Sequence, residues 1–276
     1  MYSLPQEIHR EIIGWLGPEE QQITRLTSRY FTELISPQVV NLLEFGAEHN
    51  ILSYCGLGLS LKNPTKMVCW MAAKRGHLEV LKWGHSNNCP WDSYTCAWAA
   101  RGGHLEVLEW LRSNNCPWGL DTCAWAAGGG HLEVLEWAHS NKCPWNSLTC
   151  ATAARHGRLK ILEWARSQGC PWDKWTCMCA AEGGHLKVLQ WARSNKCPWD
   201  SWTCTRAAMG GHLEVLKWAR SNNCPWDEWT CINAAKCNQL ETLQWAIEHG
   251  CPWDFRGARI LQYPQRVQEY VKSLRG

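Results

Sequence analysis

Cysteine and histidine are the residue types in this chain that could do chemistry. The sequence contains 17 Cys and 11 His, and thiolates and imidazoles are the ligands of four-coordinate zinc. A thiol beside a base could also act as a nucleophile or a redox group. The recurrent spacing is Cys-x6-Cys, as from Cys89 to Cys96, which lacks the tight Cys-x2-Cys knuckle. A zinc- or thiol-based redox module is therefore a minor alternative, and we expect no metal and no cofactor.

The cysteines follow a strict period. The tripeptide Cys-Pro-Trp recurs every 27 residues, at Cys89, Cys116, Cys143, Cys170, Cys197, Cys224 and Cys251. A second set keeps the same interval, at Cys69, Cys96, Cys123, Cys150, Cys177, Cys204 and Cys231. Only Cys55, Cys179 and Cys237 lie outside both sets. A catalytic site has to break such a repeat, and none of the common nucleotide-binding, hydrolase or metalloprotease motifs occurs. The pattern predicts a protein that is not an enzyme, with reduced and buried thiols.

Charge and hydropathy argue against two further classes. The net charge is +3 over 276 residues, and the basic residues alternate with Glu, so we expect no nucleic-acid partner. No run of 18 apolar residues occurs, so we expect no membrane span. The first residues do not resemble a secretory signal. These observations favour a cytoplasmic, monomeric protein.

The repeat itself predicts an all-α solenoid of about seven helix pairs, because a fixed period of this size is typical of units that bury their apolar faces only against neighbours. In the unit 92–118, a first helix is predicted from Cys96 to about Arg101, with Thr95 as its N-cap. Gly102-Gly103 should end it. A second helix is predicted over 104–113.

Two periodic tryptophan sets accompany these helices, one on each second helix and one after each Cys-Pro. A buried Trp covers roughly 150–250 Å², and periodic aromatic residues favour a place in the core. The alternative is a stacking platform for sugars or peptides. A regular row of cations is interpreted as a solvated outer face; it comprises Arg112, Arg166, Arg193 and Arg220, with His85 and His139.

The segment Thr-Cys-x-x-Ala-Ala-x-x-Gly-His-Leu-Glu-Val-Leu resembles the ankyrin repeat, and the resemblance covers residues 65–254. The period here is 27 residues, against about 33 in ankyrin. The missing residues correspond to the ankyrin β-hairpin finger. The resemblance implies a protein-binding scaffold in which the inner helices alone hold the partner. Residues 41–64 are interpreted as a degenerate N-terminal cap repeat, and 255–276 as a C-terminal capping helix.

Residues 1–40 do not fit the repeat and resemble an F-box. The match begins Leu-Pro-x-Glu-Ile and ends Ser-Arg-x-Phe. The resemblance implies docking onto the Skp-type linker subunit of a cullin–RING ubiquitin ligase, through Leu4, Pro5, Ile8, Ile12 and Leu16. The alternative is a helical cap that only shields the first repeat. An F-box followed by short Trp- and Cys-rich ankyrin-like repeats is similar to a protein class abundant in giant viruses of amoebae, which implies a setting in the host cytoplasm.

A surface that binds a partner should vary where the scaffold repeats. Three columns of the first helix do so, and aromatic and Arg side chains are common among energetically dominant interface residues. The predicted partner-binding face consists of Tyr94, Trp98, Arg101, Trp125, Trp175, Trp202, Arg206 and Trp229. The sequence thus predicts an adaptor whose repeats hold an unknown target protein while the F-box-like segment recruits the ligase. An interaction scaffold without a ligase link is the alternative.

Overall fold

The computed structural model describes residues 66–254 and 262–275, of which Arg275 is described in its backbone alone. Fifteen helices and no strands occur within these ranges. The helices are α1 Lys66–Arg75, α2 Leu78–Ser86, α3 Ser93–Gly102, α4 Leu105–Ser113, α5 Leu120–Gly129, α6 Leu132–Ser140, α7 Ser147–Arg155, α8 Leu159–Ser167, α9 Lys174–Glu182, α10 Leu186–Ser194, α11 Ser201–Met209, α12 Leu213–Ser221, α13 Glu228–Lys236, α14 Leu240–Glu248 and α15 Gln265–Arg275. The F-box-like segment and the predicted N-terminal cap repeat lie outside the described residues.

Helices α1 to α14 form seven pairs that stack into a solenoid. Each odd-numbered helix from α1 to α13 packs against the even-numbered helix that follows it, and each from α1 to α11 also packs against the next odd-numbered helix. The predicted all-α solenoid of seven helix pairs is therefore confirmed. No helix in the described part of the chain has both the length and the apolarity that a bilayer crossing requires.

The core runs as one continuous layer between the two helix rows. Small residues such as Ala99 and Ala100 are fully buried on the first helices and allow close approach. On the second helices, Leu108 and its equivalents are also fully buried, and each contributes about 1.5–3 kcal/mol through burial. The same positions recur in every unit, so each repeat is stabilised mainly by its neighbours.

The first helices begin earlier than the sequence predicted. Asp92 is the N-cap of α3, and its carboxylate accepts a hydrogen bond from the backbone N–H of Tyr94 at 3.1 Å. Thr95 is the third helical residue; its hydroxyl accepts from the backbone N–H of Asp92 at 3.3 Å. The prediction that Thr95 is the N-cap was wrong. Asp92 and Thr95 form a capping box, in which the Asp92 carboxylate accepts hydrogen bonds from backbone N–H groups of the first turn and the Thr95 hydroxyl accepts one from the backbone N–H of Asp92. The helix therefore starts at Ser93.

The turn between the two helices of a unit holds consecutive repeats together. Gly103 has the predicted left-handed conformation, with φ 78°. His104 is the N-cap of α4 rather than its first residue. Its ring Nε2 donates to the carbonyl oxygen of Lys74, which lies in the preceding repeat, at 3.0 Å. His131 and His212 make the equivalent bond to the preceding repeats at the same distance.

The tryptophans lie at the edge of the core and are not buried within it. Trp91 and Trp110 are both half-buried and meet edge to face, with ring centroids 5.9 Å apart. The pairs Trp118–Trp137 and Trp172–Trp191 repeat this geometry at 5.8 Å. These indoles pack against the core without being enclosed by it, so periodicity here indicates packing without full burial.

The regular cation row is not a freely solvated face, which corrects the prediction. The guanidinium of Arg112 is half-buried, lies 4.3 Å from the ring centroid of Trp118 and donates to the carbonyl oxygen of Cys116. Arg166, Arg193 and Arg220 make the same two contacts in their own units. Where His replaces Arg, as at His85 and His139, the imidazole stacks on the corresponding Trp instead, at 4.3 and 3.9 Å.

The last helix, α15, continues the apolar layer beyond the seventh pair. Val267 and Val271 are fully buried, and Tyr263 just before the helix is 5% exposed. The ring of Tyr263 meets that of Trp253 at 6.1 Å.

We expect Gly184→Ala to destabilise the protein by about 1–3 kcal/mol. Gly184 has φ +72°, and an added Cβ would lie 2.6 Å from the ring of His212. Chemical denaturation measures the change. Gly119→Asp is the control, because Gly119 has open space around it and an extended backbone, and Asp92 caps the equivalent helix. Equal loss of stability in both variants would contradict the proposed role of the Gly–His contact.

The stability of the protein should fall as the pH is lowered from 7 through 6.5. Burial lowers the pKa of His104 and of His185 below the ordinary value of 6.5. The unfolded chain therefore takes up protons before the folded chain does, and stability that is present above that pH is lost on acidification. Thermal unfolding at pH 7.5 and 5.5 measures the loss. His104→Gln with His185→Gln should reduce it, since Gln239 occupies the equivalent position in the last pair. An unchanged pH dependence in this variant would be incompatible with the assignment.

Candidate functional site

The periodic cysteines act as packing groups in the described part of the chain. The Cys96 thiol lies 3.9 Å from the carbonyl oxygen of Cys116, and the Cys116 thiol lies 3.5 Å from that of Asp92. The cysteines that contact each other, such as Cys96 and Cys116, are thus 20 residues apart within one unit. They are not the two cysteines of a Cys-x6-Cys segment. Hydrogen bonding to Cys96 and burial both raise the pKa of Cys116, and burial raises that of Cys89 to about 11. With raised pKa values, Cys89 and Cys116 are poor nucleophiles and poor metal ligands.

Within residues 66–254 and 262–275, no three side chains of His, Cys, Asp or Glu converge as metal ligands would. The two described cysteines outside the period differ from each other. Cys237 is exposed. Cys179 is buried, and burial is the main cause of its raised pKa. Its sulfur lies 3.8 Å from Nη2 of Arg155.

The irregular side chains lie together on the first helices, along a surface that we call the first-helix surface. It is defined by the outward side chains of α1, α3, α5, α7, α9, α11 and α13. The large apolar residues at the second position of these helices are unusually exposed: 44% for Tyr94, 55% for Trp175, 46% for Trp202 and 47% for Trp229. The even-numbered helices carry their tryptophans half-buried, so the two sides of the solenoid use aromatic residues differently.

At the N-terminal end of this surface, rings and cations alternate. The rings of Trp98 and Trp125 meet edge to face, with centroids 4.7 Å apart. The guanidinium of Arg101 lies 5.6 Å from the first ring and 5.7 Å from the second. The ammonium of Lys74 lies 5.2 Å from the Trp98 ring on the side of the preceding repeat. Tyr94 completes the group at 5.9 Å from Trp125. These contacts hold the rings in fixed positions while leaving them accessible.

Towards the C-terminal end, the surface carries a network of charges. The carboxylate of Glu182 lies 2.7 Å from Arg155 and 3.8 Å from Arg206. Arg206 also lies 5.9 Å from the ring of Trp202. Arg155 and Arg206 are thus neutralised within the protein, in contrast to Lys74 and Arg101. The first-helix surface therefore has two chemically distinct parts.

All eight residues that the sequence predicted as a partner-binding face lie on the first-helix surface. The structure brings Tyr94, Trp98, Arg101 and Trp125 into direct contact, and it joins Trp202 to Arg206. Trp175 and Trp229 stand at equivalent positions in neighbouring repeats. Sequence reasoning missed Lys74, although it lies one period of 27 residues before Arg101. Extending the irregular column by one repeat would have found it.

The comparison with solved structures agrees with this architecture. The crystal structure of the human ASB11 ankyrin repeat domain is similar, with a TM-score of 0.50, 13% sequence identity, and coverage of 66% of this chain and 97% of that domain. The fold is an ankyrin-like repeat solenoid. At this identity the likeness concerns the fold alone. No protein-family model matches the sequence, and no curated protein is similar to it.

Among the described cysteines, Cys237 should react first with an alkylating reagent at pH 8. It is exposed, whereas the other fifteen are buried and protected by packing. Peptide mapping after brief treatment with iodoacetamide measures the order of labelling. Urea serves as the control, because unfolding should make the described cysteines equally reactive. Early labelling of Cys116 in the folded protein would show that the thiols are not sealed in the core.

Proposed function

We propose that this protein is an adaptor: its first-helix surface binds a partner protein, and its F-box-like segment recruits the Skp-type linker of a cullin–RING ubiquitin ligase. The observation that carries the proposal is the contrast between a regular core and an irregular, exposed aromatic surface. Ankyrin-like solenoids offer extended surfaces suited to binding proteins.

The exposed tryptophans support binding at this surface. Trp175, Trp202 and Trp229 occupy one column in three consecutive repeats, and about half of each side chain is exposed. Nothing in the packing of the scaffold requires Trp here, because Asp121 and Leu148 fill the same column. Tryptophan and Arg are enriched among the residues that contribute most of the binding energy at protein interfaces. Three such residues in line form a ready contact site.

The Cys-Pro-Trp loops are poorly suited to binding a partner, which also favours the first-helix surface. In each Cys-Pro-Trp loop the Cys is buried and the Trp packs half-buried against the core. The preceding Asn115 has φ 60°, which makes the turn tight. The loops therefore connect the repeats closely, and they do not project far enough to contact a partner as a β-hairpin finger would. Between the loops and the first helices, the first-helix surface is therefore the more accessible contact site.

The ligase link rests on the F-box-like residues of the N-terminal segment. Leu4, Pro5, Ile8, Ile12 and Leu16 are apolar residues at the spacing of an amphipathic helical docking site. An apolar side of this kind on a segment of about 40 residues is more stable when it packs against a partner. The similarity to F-box and ankyrin-like proteins of giant viruses supports an adaptor that acts in the cytoplasm of a host cell.

The full chain should bind a eukaryotic Skp-type linker protein with micromolar or tighter affinity, because the apolar docking residues would be buried on association. Isothermal calorimetry with both purified proteins measures this. The variant Leu4→Ala, Pro5→Ala, Ile8→Ala should lose the binding. Trp202→Asp, at a distance in sequence, should retain it. No binding by a folded chain would leave a scaffold without a ligase link.

Trp202→Asp should weaken binding of the target protein at least tenfold, which corresponds to the loss of one dominant contact. The target is first found with a photo-crosslinking residue at Leu148, which is exposed in the same column, and is then purified and titrated. The variant should remain folded, since Asp121 occupies the equivalent position. Gln190→Asp, exposed on α10, adds the same charge on the other side of the solenoid and should bind normally. Equal loss in both variants would argue against the first-helix surface.

A further inference from the structure

We propose that the N-terminal part of the first-helix surface selects an acidic, extended segment of the partner protein that carries an aromatic or large apolar side chain. The site consists of Lys74, Trp98, Arg101 and Trp125. The inference rests on the proposed function and deepens it, since it specifies the chemistry of the partner.

The first argument is the uneven use of charge. Lys66, Lys174, Arg155 and Arg206 each have a carboxylate of the protein within 4.0 Å. Lys74 and Arg101 have none among the described residues, and both are exposed. Lys236 is the third cation of this kind on the surface, 6.0 Å from the ring of Trp229. Only Lys74 and Arg101 lie in consecutive repeats, where a single ligand can reach both.

The second argument is the placement of the two charges around the rings. Lys74 and Arg101 flank Trp98, and Arg101 also touches Trp125. An acidic side chain that neutralised either cation would lie beside a half-buried indole ring, that of Trp98 or Trp125. The next apolar side chain of the ligand would then rest on the Trp98–Trp125 pair, whose centroids are 4.7 Å apart. The site thus offers one apolar contact between two cationic contacts.

The third argument is distance. Helices packed side by side lie about 8–10 Å apart, and a chain in the extended polyproline II conformation advances about 3.1 Å per residue with three residues per turn. A ligand that crosses the first helices in this conformation therefore passes one repeat with about three residues. Carboxylates at positions i and i+3 would point to the same side and meet Lys74 and Arg101, and a large apolar side chain between them would reach the rings.

The opposite edge of the surface favours a peptide over a nucleic acid. The first helices begin with carboxylates, at Asp92, Asp173, Asp200 and Asp227. Lys66 and Lys174 at these ends are paired with Asp92 and Asp200, whereas Lys74 and Arg101 stand at the other ends of their helices. A polyphosphate backbone lying along the surface would need several cations in a row, whereas Gly128, Glu182 and Met209 interrupt the column. A short acidic segment needs only two.

The test is a selection of random 16-residue peptides displayed on phage, carried out on the immobilised full chain. Enriched peptides should contain Asp or Glu three residues apart with an aromatic or large apolar residue between them. The synthetic peptides are then titrated by fluorescence anisotropy. The double variant Lys74→Glu, Arg101→Glu should bind these peptides at least tenfold more weakly than the wild type does. Raising the salt concentration should weaken peptide binding to the wild type. Glu182 stands in the equivalent position, so the variant should remain folded.

The control reverses the same number of charges elsewhere. The control variant combines Lys160→Glu and Lys187→Glu, which change exposed residues of α8 and α10. Glu106 and Glu133 occupy the equivalent positions in other repeats. This variant should bind the peptides within twofold of the wild type.

Several outcomes would overturn the inference. Enriched peptides of neutral or basic composition would do so, as would equal affinity of the Lys74/Arg101 variant or a failure of any peptide to enrich. Tight binding of a 20-nucleotide oligouridine that the same variant loses would assign the site to single-stranded RNA. If selected peptides are lost on Trp202→Asp but not on charge reversal, the proposed protein-binding function survives and the acidic specificity fails.

Discussion

The contact between a histidine and the end of the preceding repeat is the constraint on which the solenoid depends. The ring of His104 donates to the carbonyl of Lys74 and lies against Gly76, where an added Cβ would come within 2.6 Å of Nδ1. A helix end exposes unpaired carbonyls, and this hydrogen bond satisfies one of them from outside the unit. The ring thus fixes the spacing of adjacent first helices. The irregular side chains of Lys74, Trp98 and Arg101 meet one another because of that spacing.

The structure divides the residues of each repeat into those that the scaffold needs and those that it leaves free. Leu108, Ala99 and Ala100 are fully buried, and any change would open or crowd the core. Trp110 and Arg112 protect its edge. Tyr94, Trp98 and Arg101 contact one another and other irregular side chains of the first helices, chiefly Trp125. Variation is therefore possible on the first-helix surface without loss of the fold, and this separation allows one architecture to present different sets of surface side chains.

The sequence predicted the helix pairs, their number and the glycine turns, because each depends on local chemistry that repeats with a fixed period. It failed at Thr95, since a capping box contains two candidate caps and only the hydrogen-bond geometry distinguishes them. It also placed Arg112 in solvent, because a charged residue at a helix end gives no indication that a Trp six residues later will stack on it. The sequence could predict that the residues of the candidate site lie in columns along the first helices, because these positions vary from repeat to repeat. The pairing of Glu182 with two arginines was not, because it depends on side-chain reach between repeats.

The Cys-Pro-Trp loop has a consequence for how such a chain can change in length. Its buried Cys and its stacked Trp set the distance to the next His, so that each imidazole reaches the glycine of the unit before it. Gain or loss of one whole unit of 27 residues leaves every remaining junction intact, whereas gain or loss of a few residues misaligns a ring with its glycine. Recombination between identical coding repeats produces changes of the first kind. The array can thus be lengthened or shortened by whole repeats, and each such change adds or removes one helix of the first-helix surface.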